Sequence, residues 1–304
     1  MMQVHKKGLV FGSLNLDYVY ELDHIVNPGE TISSRSLRCN PGGKGLNQAI
    51  ALAKAGGNIW IAGKIGEDGS MLKQVCENAG VNVEGLMISK SPTGNAIIQV
   101  DSEGRNSIIL FPGANRDQTE QEIIKVLEHF SKGDYLFLQN EINGIELLIQ
   151  EASKRGMKIV LNPSPFEPEI MTYDLEKIEW IILNEVEVCQ MTGEKMIEQA
   201  LKKLKEICPG AGIVLTLGEK GSRCFVEGKE YVQNAYSCNV EDTTAAGDTF
   251  TGYFFAHVME KEHEIQKALD EAARAAAITV SRKGAAETIP YKEELYQIKS
   301  EEEI

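Results

Sequence analysis

The 304-residue sequence lacks long hydrophobic runs and lacks an excess of basic residues. No window approaches the roughly 18 uncharged apolar residues that a membrane-spanning helix needs. The formal net charge is −14, with 31 Lys and Arg against 45 Asp and Glu. Nucleic acids and anionic membranes are bound by basic surfaces, so we expect neither as a partner. An anionic ligand would need a local site built from backbone N–H groups.

Cysteine and histidine are too scattered to form a familiar disulfide or zinc motif. The six cysteines include no C-x-x-C pair, and the five histidines are equally dispersed. Such cysteines are typical of reduced thiols in a cytosolic protein. The N-terminal stretch MMQVHKKGLVFGS has no apolar segment of the kind found in signal peptides. We therefore expect a cytoplasmic protein whose chemistry depends on carboxylates.

Apolar strands alternate with amphipathic helices along most of the chain. KGLVFGS, NIWIAGKIG, DYLFLQN, KIVLNPSP, WIILNE and GIVLTLG are candidate strands. A helical face is formed by Leu46, Ala49, Ile50 and Ala53, spaced i, i+3, i+4 and i+7. Strands that are apolar throughout predict a mainly parallel sheet covered by helices on both faces. We expect one α/β domain over residues 1–304.

Two segments, at about residues 16–40 and 94–112, interrupt this pattern because their apolar and polar residues alternate. The second contains DSEGRN, a turn composition between two alternating runs. The segments predict a small antiparallel β-sheet. It is either a lid over the crevice at the carboxyl ends of the main strands, or a set of edge strands of the main sheet.

The stretch EDTTAAGDTFTGYFF, residues 241–255, places small residues directly before a helix. Apolar residues recur at helical spacing over Phe250–Val258, so the helix is predicted to begin near Gly247. Free N–H groups at such a start carry about half a positive charge and suit an anion. Asp248 is either an N-cap or a functional carboxylate. An N-cap alone does not explain Ala-Ala-Gly or the second acid, Asp242.

NPGGKGLNQA contains Gly42, Gly43 and Gly45, which let the backbone approach a ligand closely. Lys44 does not fit the spacing G-x-x-x-x-G-K-[ST], and no G-x-G-x-x-G follows a strand. Neither familiar nucleotide loop is therefore supported. The alternative that this glycine turn binds a polar ligand remains open.

GSLNLDYV is predicted to end the first strand, with Asn15 and Asp17 on one face because strand side chains alternate. An amide and a carboxylate aimed together suit vicinal hydroxyls. Capping of loop backbone is the alternative role for both residues.

Taken together, these stretches resemble the ribokinase-like (PfkB) family of carbohydrate kinases. NPGGKGLNQAIALAKAGGNIWIAGKIGEDG is similar to the first signature of that family, and DTTAAGDTFTGYF is similar to the second. SRKGAAETIP near the C-terminus also resembles it. The resemblance runs nearly end to end. It implies a three-layer α/β/α fold with a mainly parallel central sheet, a small antiparallel β lid, and phosphoryl transfer from ATP to a sugar.

The resemblance implies a sugar site and a catalytic base. Asp248 would accept a proton from the primary hydroxyl of the sugar as that oxygen attacks the γ-phosphate. The N–H groups of Ala245, Ala246, Gly247 and Asp248 would form the anion hole. The residues implied to hold the sugar are Asn15, Asp17, Gly42, Gly43, Lys44, Asn47, Glu141 and Asp248.

The resemblance also implies ATP, Mg²⁺ and K⁺. In LNEVE, Asn184 would lie near the phosphates and Glu187 would organise Mg²⁺ and its waters. The further nucleotide contacts would be Thr216, Gly218, Gly221 and Gly247. Asp242 would be a K⁺ ligand rather than a second catalytic acid. The backbone or side-chain oxygens that complete this cation loop would come from Thr244, Thr279, Arg282, Gly284 and Thr288.

Four positions depart from the usual pattern of the closest branch of the family. Pro41 and Leu46 differ beside the implied sugar pocket. Ala273 replaces a common His or Asn at the adenine end, so no contact is inferred there. Thr288 replaces a common Ser and keeps its hydroxyl.

The expected reaction is ATP-dependent phosphorylation of D-ribose to ribose 5-phosphate. The alternatives are a kinase for another sugar or a nucleoside, or a sugar-binding protein without catalysis. A lid pocket lined by Tyr18 and Tyr20 would favour a nucleoside. The resemblance implies lids that pair across a two-fold axis, and the edges of the lid strands need cover, so we expect a homodimer through the lid.

Overall fold

The computed structural model of the chain describes residues 6–297. Of the N-terminal stretch considered above, residues 1–5 lie outside this range. The strands are β1 (Lys7–Phe11), β2 (Asn15–Glu21), β3 (Ser36–Gly42), β4 (Asn58–Ile65), β5 (Asn82–Ile88), β6 (Gly94–Val100), β7 (Asn106–Phe111), β8 (Tyr135–Gln139), β9 (Lys158–Asn162), β10 (Trp180–Asn184), β11 (Gly212–Thr216), β12 (Ser222–Val226) and β13 (Lys229–Gln233). The α-helices are α1 (Lys44–Lys54), α2 (Ser70–Asn78), α3 (Glu120–Leu127), α4 (Ile145–Lys154), α5 (Glu185–Thr192), α6 (Ile197–Ile207), α7 (Ala246–Glu260) and α8 (Ile265–Val280).

The main sheet has nine strands in the order β13-β12-β11-β10-β9-β8-β1-β4-β5. The pairs from β11 to β5 are parallel, and β12 and β13 add an antiparallel hairpin at one edge. Leu9, Val10 and Phe11 of β1 are all fully buried. Val10 belongs to a core cluster that includes α1, α7 and α8, whereas Leu9 and Phe11 belong to a second cluster beneath α3–α6. The predicted three-layer α/β/α fold is confirmed.

A second sheet has the order β3-β2-β6-β7 and is separate from the main one. The two alternating segments supply its strands, so the prediction of a small additional sheet is confirmed and the edge-strand alternative is wrong. The β6–β7 pair is the predicted hairpin, with Asp101 accepting backbone hydrogen bonds from Glu103 and Arg105 in the turn. The sheet is not wholly antiparallel, because β2 and β6 run parallel. We call it the lid sheet.

One local prediction is wrong. Asn15 and Asp17 do not end the first strand, since β1 ends at Phe11 and both residues belong to β2 of the lid sheet. The chain leaves the main sheet after Gly12, whose N–H donates to Ala62 O at 3.1 Å. The periodicity also does not predict α5, because this helix is short and only partly buried.

The carboxyl ends of the parallel strands collect the starts of several helices, which is where open α/β sheets bind ligands. β10 runs directly into α5, and the first turn of α7 lies beside the last residues of β9, β10 and β11. Among residues 6–297, no helix is long and apolar enough to cross a membrane.

Candidate active site

The first turn of α7 is open to the surroundings. The helix begins at Ala246, close to the predicted start, and its N-cap Ala245 has left-handed backbone angles, with φ 61°. The first N–H groups of a helix have no partner inside the helix. Ala246 N–H donates only at 3.3 Å, to Thr243 O. A Cβ on Gly247 would meet no atom within 4 Å, so small residues do keep this positive helix end accessible.

Asp248 lies in this first turn and is not an N-cap. Its side chain is buried, with 8% of the residue exposed. Oδ2 accepts a hydrogen bond from Asn47 Nδ2 at 3.1 Å, and Oδ1 accepts one from Gln48 Nε2 at 2.9 Å. Two amides from α1 therefore hold the carboxylate, one on each oxygen.

A cavity of about 240 Å³ lies in front of Asp248. It brings together residues from α1, α5, the carboxyl ends of β9–β11 and the start of α7. The predicted site residues that line it are Lys44, Asn184, Glu187, Thr216, Ala245, Ala246, Gly247 and Asp248. Gly218 and Gly221 do not line it and lie in the turn that follows β11.

Lys44 is the cation of this cavity. Burial disfavours its ammonium charge, but the fields of Asp248, Glu141 and Glu187 outweigh burial and raise the pKa of Lys44. Lys44 therefore stays charged, which suits a site for phosphate groups.

Asn184 and Glu187 form a capping box at the start of α5. Asn184 Oδ1 accepts from the N–H groups of Val186 and Glu187, both at 2.9 Å, and Glu187 Oε2 accepts from Asn184 N–H at 3.0 Å. Each side chain thus uses one oxygen in the cap. Asn184 Nδ2 and Glu187 Oε1 are not part of it and are available to the cavity.

The sugar-site residues predicted on the lid side meet at the start of β2 and α1. A Cβ on Gly42 would lie 2.0 Å from Asp17 Oδ2, so only glycine lets that carboxylate lie against the backbone. Gly43 has φ 96°, and a Cβ there would lie 2.8 Å from Ser13 O. Glu141 Oε2 accepts from the Ser13 hydroxyl and from Lys44 N–H at 3.2 Å.

Asp17 is electrostatically unusual. Burial of its carboxyl, followed by the fields of Glu141 and Glu287, raises the pKa of Asp17 to about 7. A perturbed carboxyl at the edge of a ligand site is typical of functional residues. The raised pKa makes Asp17 a candidate to accept hydrogen bonds from a ligand.

Asn115, which the sequence does not reveal, orients Asn15. The Asn115 side chain is clamped to the backbone, because its Oδ1 accepts from Leu14 N–H at 3.0 Å. Its Nδ2 then donates to Asn15 Oδ1 at 2.7 Å. Asn15 is left with its NH₂ group to donate to a ligand. Other residues at the site that sequence reasoning missed are Ser13, Gln48, Asn162, Thr243 and Thr251.

The proposed cation loop is assembled only in part. Asp242 Oδ1 accepts from Thr244 N–H at 2.9 Å, and Oδ2 accepts from Gly284 N–H at 3.3 Å. The Thr279 hydroxyl instead donates to Thr249 Oγ1 at 3.1 Å inside the core. The remaining predicted residues, Arg282 and Thr288, bind one another, with Arg282 donating to Thr288 O at 3.3 Å.

The donor groups of this loop suit a hard cation, because Asp242, the threonines and the backbone all offer oxygen. Within residues 6–297, no group of three or more His, Cys, Asp or Glu side chains is placed to hold a metal ion. A cation at Asp242 would therefore be bound mainly by carbonyl and hydroxyl oxygens.

Comparison with known proteins agrees with this geometry. A family model described as "pfkB family carbohydrate kinase" matches residues 6–292. A ribokinase of Haemophilus influenzae is 36% identical over 305 residues, covering 96% of this chain and 97% of the relative. A solved ribokinase from Cryptococcus neoformans var. grubii in complex with ADP is 36% identical, with a TM-score of 0.82. The match covers 96% of this chain and 99% of the solved chain. A solved ribokinase of Arabidopsis thaliana complexed with ribose and ATP is 29% identical, with a TM-score of 0.84. The match covers 97% of this chain and 98% of the solved chain. The chain belongs to the pfkB family of carbohydrate kinases.

Proposed function

We propose that this protein transfers the γ-phosphoryl group of ATP to the primary hydroxyl of D-ribose and releases ribose 5-phosphate. The observation that carries the proposal is the buried carboxylate of Asp248, fixed by two amides at the open start of α7. The similarity to ribokinases, one of them described with ribose and ATP, supports ribose as the sugar.

In this proposal Asp248 is the base. Each of its oxygens already accepts one amide hydrogen bond, and a carboxylate oxygen has two lone pairs. One lone pair on each oxygen is thus left for the hydroxyl of the sugar. The carboxylate accepts that proton as the oxygen attacks, because it lies within hydrogen-bonding reach of the hydroxyl in this assignment.

The anion hole is assigned to the N–H groups of Ala245, Ala246, Gly247 and Asp248. Phosphoryl transfer depends mainly on alignment and on neutralising the charge of the transferred group. The positive end of α7 and the charged Lys44 both face the cavity where that charge would develop. These groups are in place before the reaction, so no reorganisation is required.

The sugar is assigned to Asn15, Asp17, Gly42, Gly43, Lys44, Asn47 and Glu141. The buried Oδ1 of Asn47 has no hydrogen-bond partner among the described residues, so we assign a sugar hydroxyl to it. Asn47 would then touch both the sugar and the base. Tyr18 packs on the main core and, by strand alternation, Tyr20 shares its face, opposite Asp17. Stacking on a nucleoside base by these rings is not favoured.

The nucleotide is assigned to Asn184, Glu187, Thr216, Gly218, Gly221 and Gly247. Mg²⁺ bound with ATP would supply neutralisation of the phosphate charge, with Glu187 holding its waters. K⁺ is assigned to Asp242, with oxygens of Thr244, Thr279, Arg282, Gly284 and Thr288. The role of Asp242 in this chain is to fix the segment that leads into the anion hole, through its bonds to Thr244 and Gly284.

A homodimer through the lid sheet and a cytoplasmic location complete the proposal. β7 is an edge strand of the lid sheet, and Ile108, Ile109, Leu110 and Phe111 on it are exposed. An exposed apolar edge favours pairing with another copy. The six cysteines are free, which suits a reducing compartment.

The test is release of ADP in the presence of ATP, Mg²⁺ and K⁺ with ribose, 2-deoxyribose, fructose or a nucleoside. We expect ribose to give the highest kcat/KM, with ³¹P NMR showing the 5-phosphate. Turnover of another substrate but not ribose would refute only the sugar assignment. Absence of turnover on every substrate would refute the kinase proposal and favour a binding protein.

A further inference from the structure

Gln48 is a buried amide that contacts the candidate base but has no role in the assignments above. It follows Asn47 in α1, and only 1% of the residue is exposed. Its Nε2 donates to Asp248 Oδ1 at 2.9 Å, while Asn47 holds the other oxygen. Gln48 is thus the second of two amides that fix Asp248.

The orientation of the Gln48 amide follows from the chemistry of its neighbours. An ionised carboxylate only accepts hydrogen bonds, so Gln48 must turn its NH₂ group towards Asp248. Its Oε1 then needs a donor, and Gln139 Nε2 supplies one at 2.7 Å. Gln139 is itself fully buried at the end of β8. The donors therefore point in one direction, from Gln139 to Gln48 to Asp248.

This chain of donors constrains what the carboxylate can do. A carboxylate held through one oxygen can still rotate about its Cβ–Cγ bond, whereas bonds to both oxygens fix its plane. Asn162 Oδ1, at 3.3 Å, shares the Gln48 amide and ties it to β9. Leaving a buried amide or carboxylate without these partners is unfavourable, so the arrangement resists rotation.

We propose that Gln48 is a positioning residue for proton transfer, which fixes the plane of the Asp248 carboxylate from the oxygen that Asn47 does not hold. The inference rests on the proposed function. Asn47 is assigned to the sugar as well as to Asp248, so its substitution would disturb binding and chemistry together. Gln48 is not assigned to the sugar and contacts Asp248 instead, so its substitution is expected to affect the chemical step alone.

The test compares Gln48→Met with the parent protein. Methionine keeps the length and flexibility of the side chain but removes the amide. We expect kcat to fall by about 10- to 100-fold, as for loss of alignment at a catalytic group, and KM for ribose to stay within about twofold. Gln118→Met is the matched control, because Gln118 is another buried amide and does not line the cavity in front of Asp248. We expect it to leave kcat unchanged.

The same substitution in an Asp248→Asn background separates positioning from general structural damage. If Gln48 acts through Asp248, Gln48→Met causes less than about a twofold further loss there, because effects of residues that act as a unit are not additive. An equal loss in both backgrounds, an unchanged kcat in Gln48→Met, or a rise in KM alone would each overturn the proposal.

A readout that does not need turnover keeps the two proposals apart. The side-chain NH₂ signal of Gln48 in a ¹H–¹⁵N spectrum is identified by its loss in Gln48→Met. We expect this signal to shift in Asp248→Asn and to stay in place in Gln118→Met. Parent protein without activity on any sugar refutes the proposed function. An unmoved Gln48 signal in Asp248→Asn refutes the positioning contact, whether or not the protein is a kinase.

Discussion

The side-chain amide of Asn47 donates to Oδ2 of Asp248 at 3.1 Å, which joins the first turns of α1 and α7 across 201 residues of sequence. Each helix start comes from a different signature stretch. Their contact places a residue assigned to the sugar directly against the residue assigned as base. Substrate binding and proton transfer are therefore expected to be separable by substitution only where a side chain serves one of them.

Asp248→Asn is expected to separate substrate binding from proton transfer even though Asp248 serves both, because the amide oxygen can still accept a hydrogen bond from the sugar hydroxyl. The amide keeps the size of the side chain but is a far weaker base, so kcat should fall by about 10²- to 10⁴-fold. The dissociation constant for ribose should change by less than about threefold, since the other sugar contacts remain. Fixed-time assays of ADP release measure kcat, and titration calorimetry measures the dissociation constant for ribose. A variant with near-normal kcat would show that Asp248 is not the base.

The raised pKa of Asp17, about 7, predicts a pH dependence of ribose binding. Sugar hydroxyls donate to the ionised carboxylate, so affinity should rise with pH by up to about tenfold per unit below pH 7 and level off above it. Titration calorimetry at several pH values between about 5.5 and 8.5 measures this change in ribose affinity. Asp17→Asn should bind more weakly and without the slope. A slope of the opposite sign, or one that survives the substitution, contradicts the assignment.

The same group affects the stability of the unliganded protein. The folded-state pKa of Asp17 lies above its ordinary value of 3.8, so the folded chain binds this proton more tightly than the unfolded chain. The contribution of Asp17 to the free energy of unfolding therefore falls as pH rises from about 4 to about 7. Asp17→Asn should gain most over the parent above pH 7 in urea unfolding. Equal differences at pH 5 and pH 8 would count against the raised pKa.

Ala245 has φ 61°, a region that disfavours side chains with a Cβ by about 1–2 kcal/mol. Its carbonyl accepts from Thr249 N–H at 2.8 Å and so anchors the first turn of α7. Ala245→Gly should keep kcat within about twofold, because glycine adopts these angles readily. Ala245→Val should lower kcat by at least about tenfold, because a β-branched residue strains the turn and misaligns the N–H groups. A valine variant with the kcat of the parent would remove Ala245 from the anion hole.

Replacing K⁺ by tetramethylammonium tests the cation loop. Activity should fall by about fivefold or more, since a cation at Asp242 would order the segment before the anion hole. Asp242→Asn preserves the shape of the side chain but removes its negative charge, so the activity of this variant should be low and insensitive to K⁺. A parent protein that is indifferent to the cation would remove the K⁺ assignment.

Ile109→Lys tests the dimer through the lid sheet. Ile109 is 58% exposed on the edge strand β7, and a buried lysine at an interface would be strongly unfavourable. Val232→Lys is the matched control, because Val232 is 55% exposed on β13, the edge of the main sheet. Sedimentation velocity should show the first variant as a monomer and the second as a dimer like the parent. A monomeric parent, or two variants that both remain dimers, would contradict the proposal.

The sequence predicted the layered fold well because its signals are local. Strand β1 shows this. Its three consecutive apolar residues, Leu9, Val10 and Phe11, predict burial on both faces of the strand without information from any other segment. The open start of α7 was equally predictable from the small residues before Asp248. The sequence pattern places Asn15 and Asp17 on the wrong strand, because an apolar run does not reveal that the chain leaves one sheet and enters another after Gly12.

Local sequence patterns thus suffice to predict the fold class, the parallel strands of the main sheet and the helix start that carries Asp248. The side chains that hold that carboxylate, and the group that orients Asn15, depend on tertiary contacts. The amides of Asn47 and Gln48 reach Asp248 from about 200 residues away, and Asn115 reaches Asn15 from 100 residues away. Periodicity describes what one segment buries. Hydrogen bonds between distant side chains depend on how the packed layers bring the ends of different segments together.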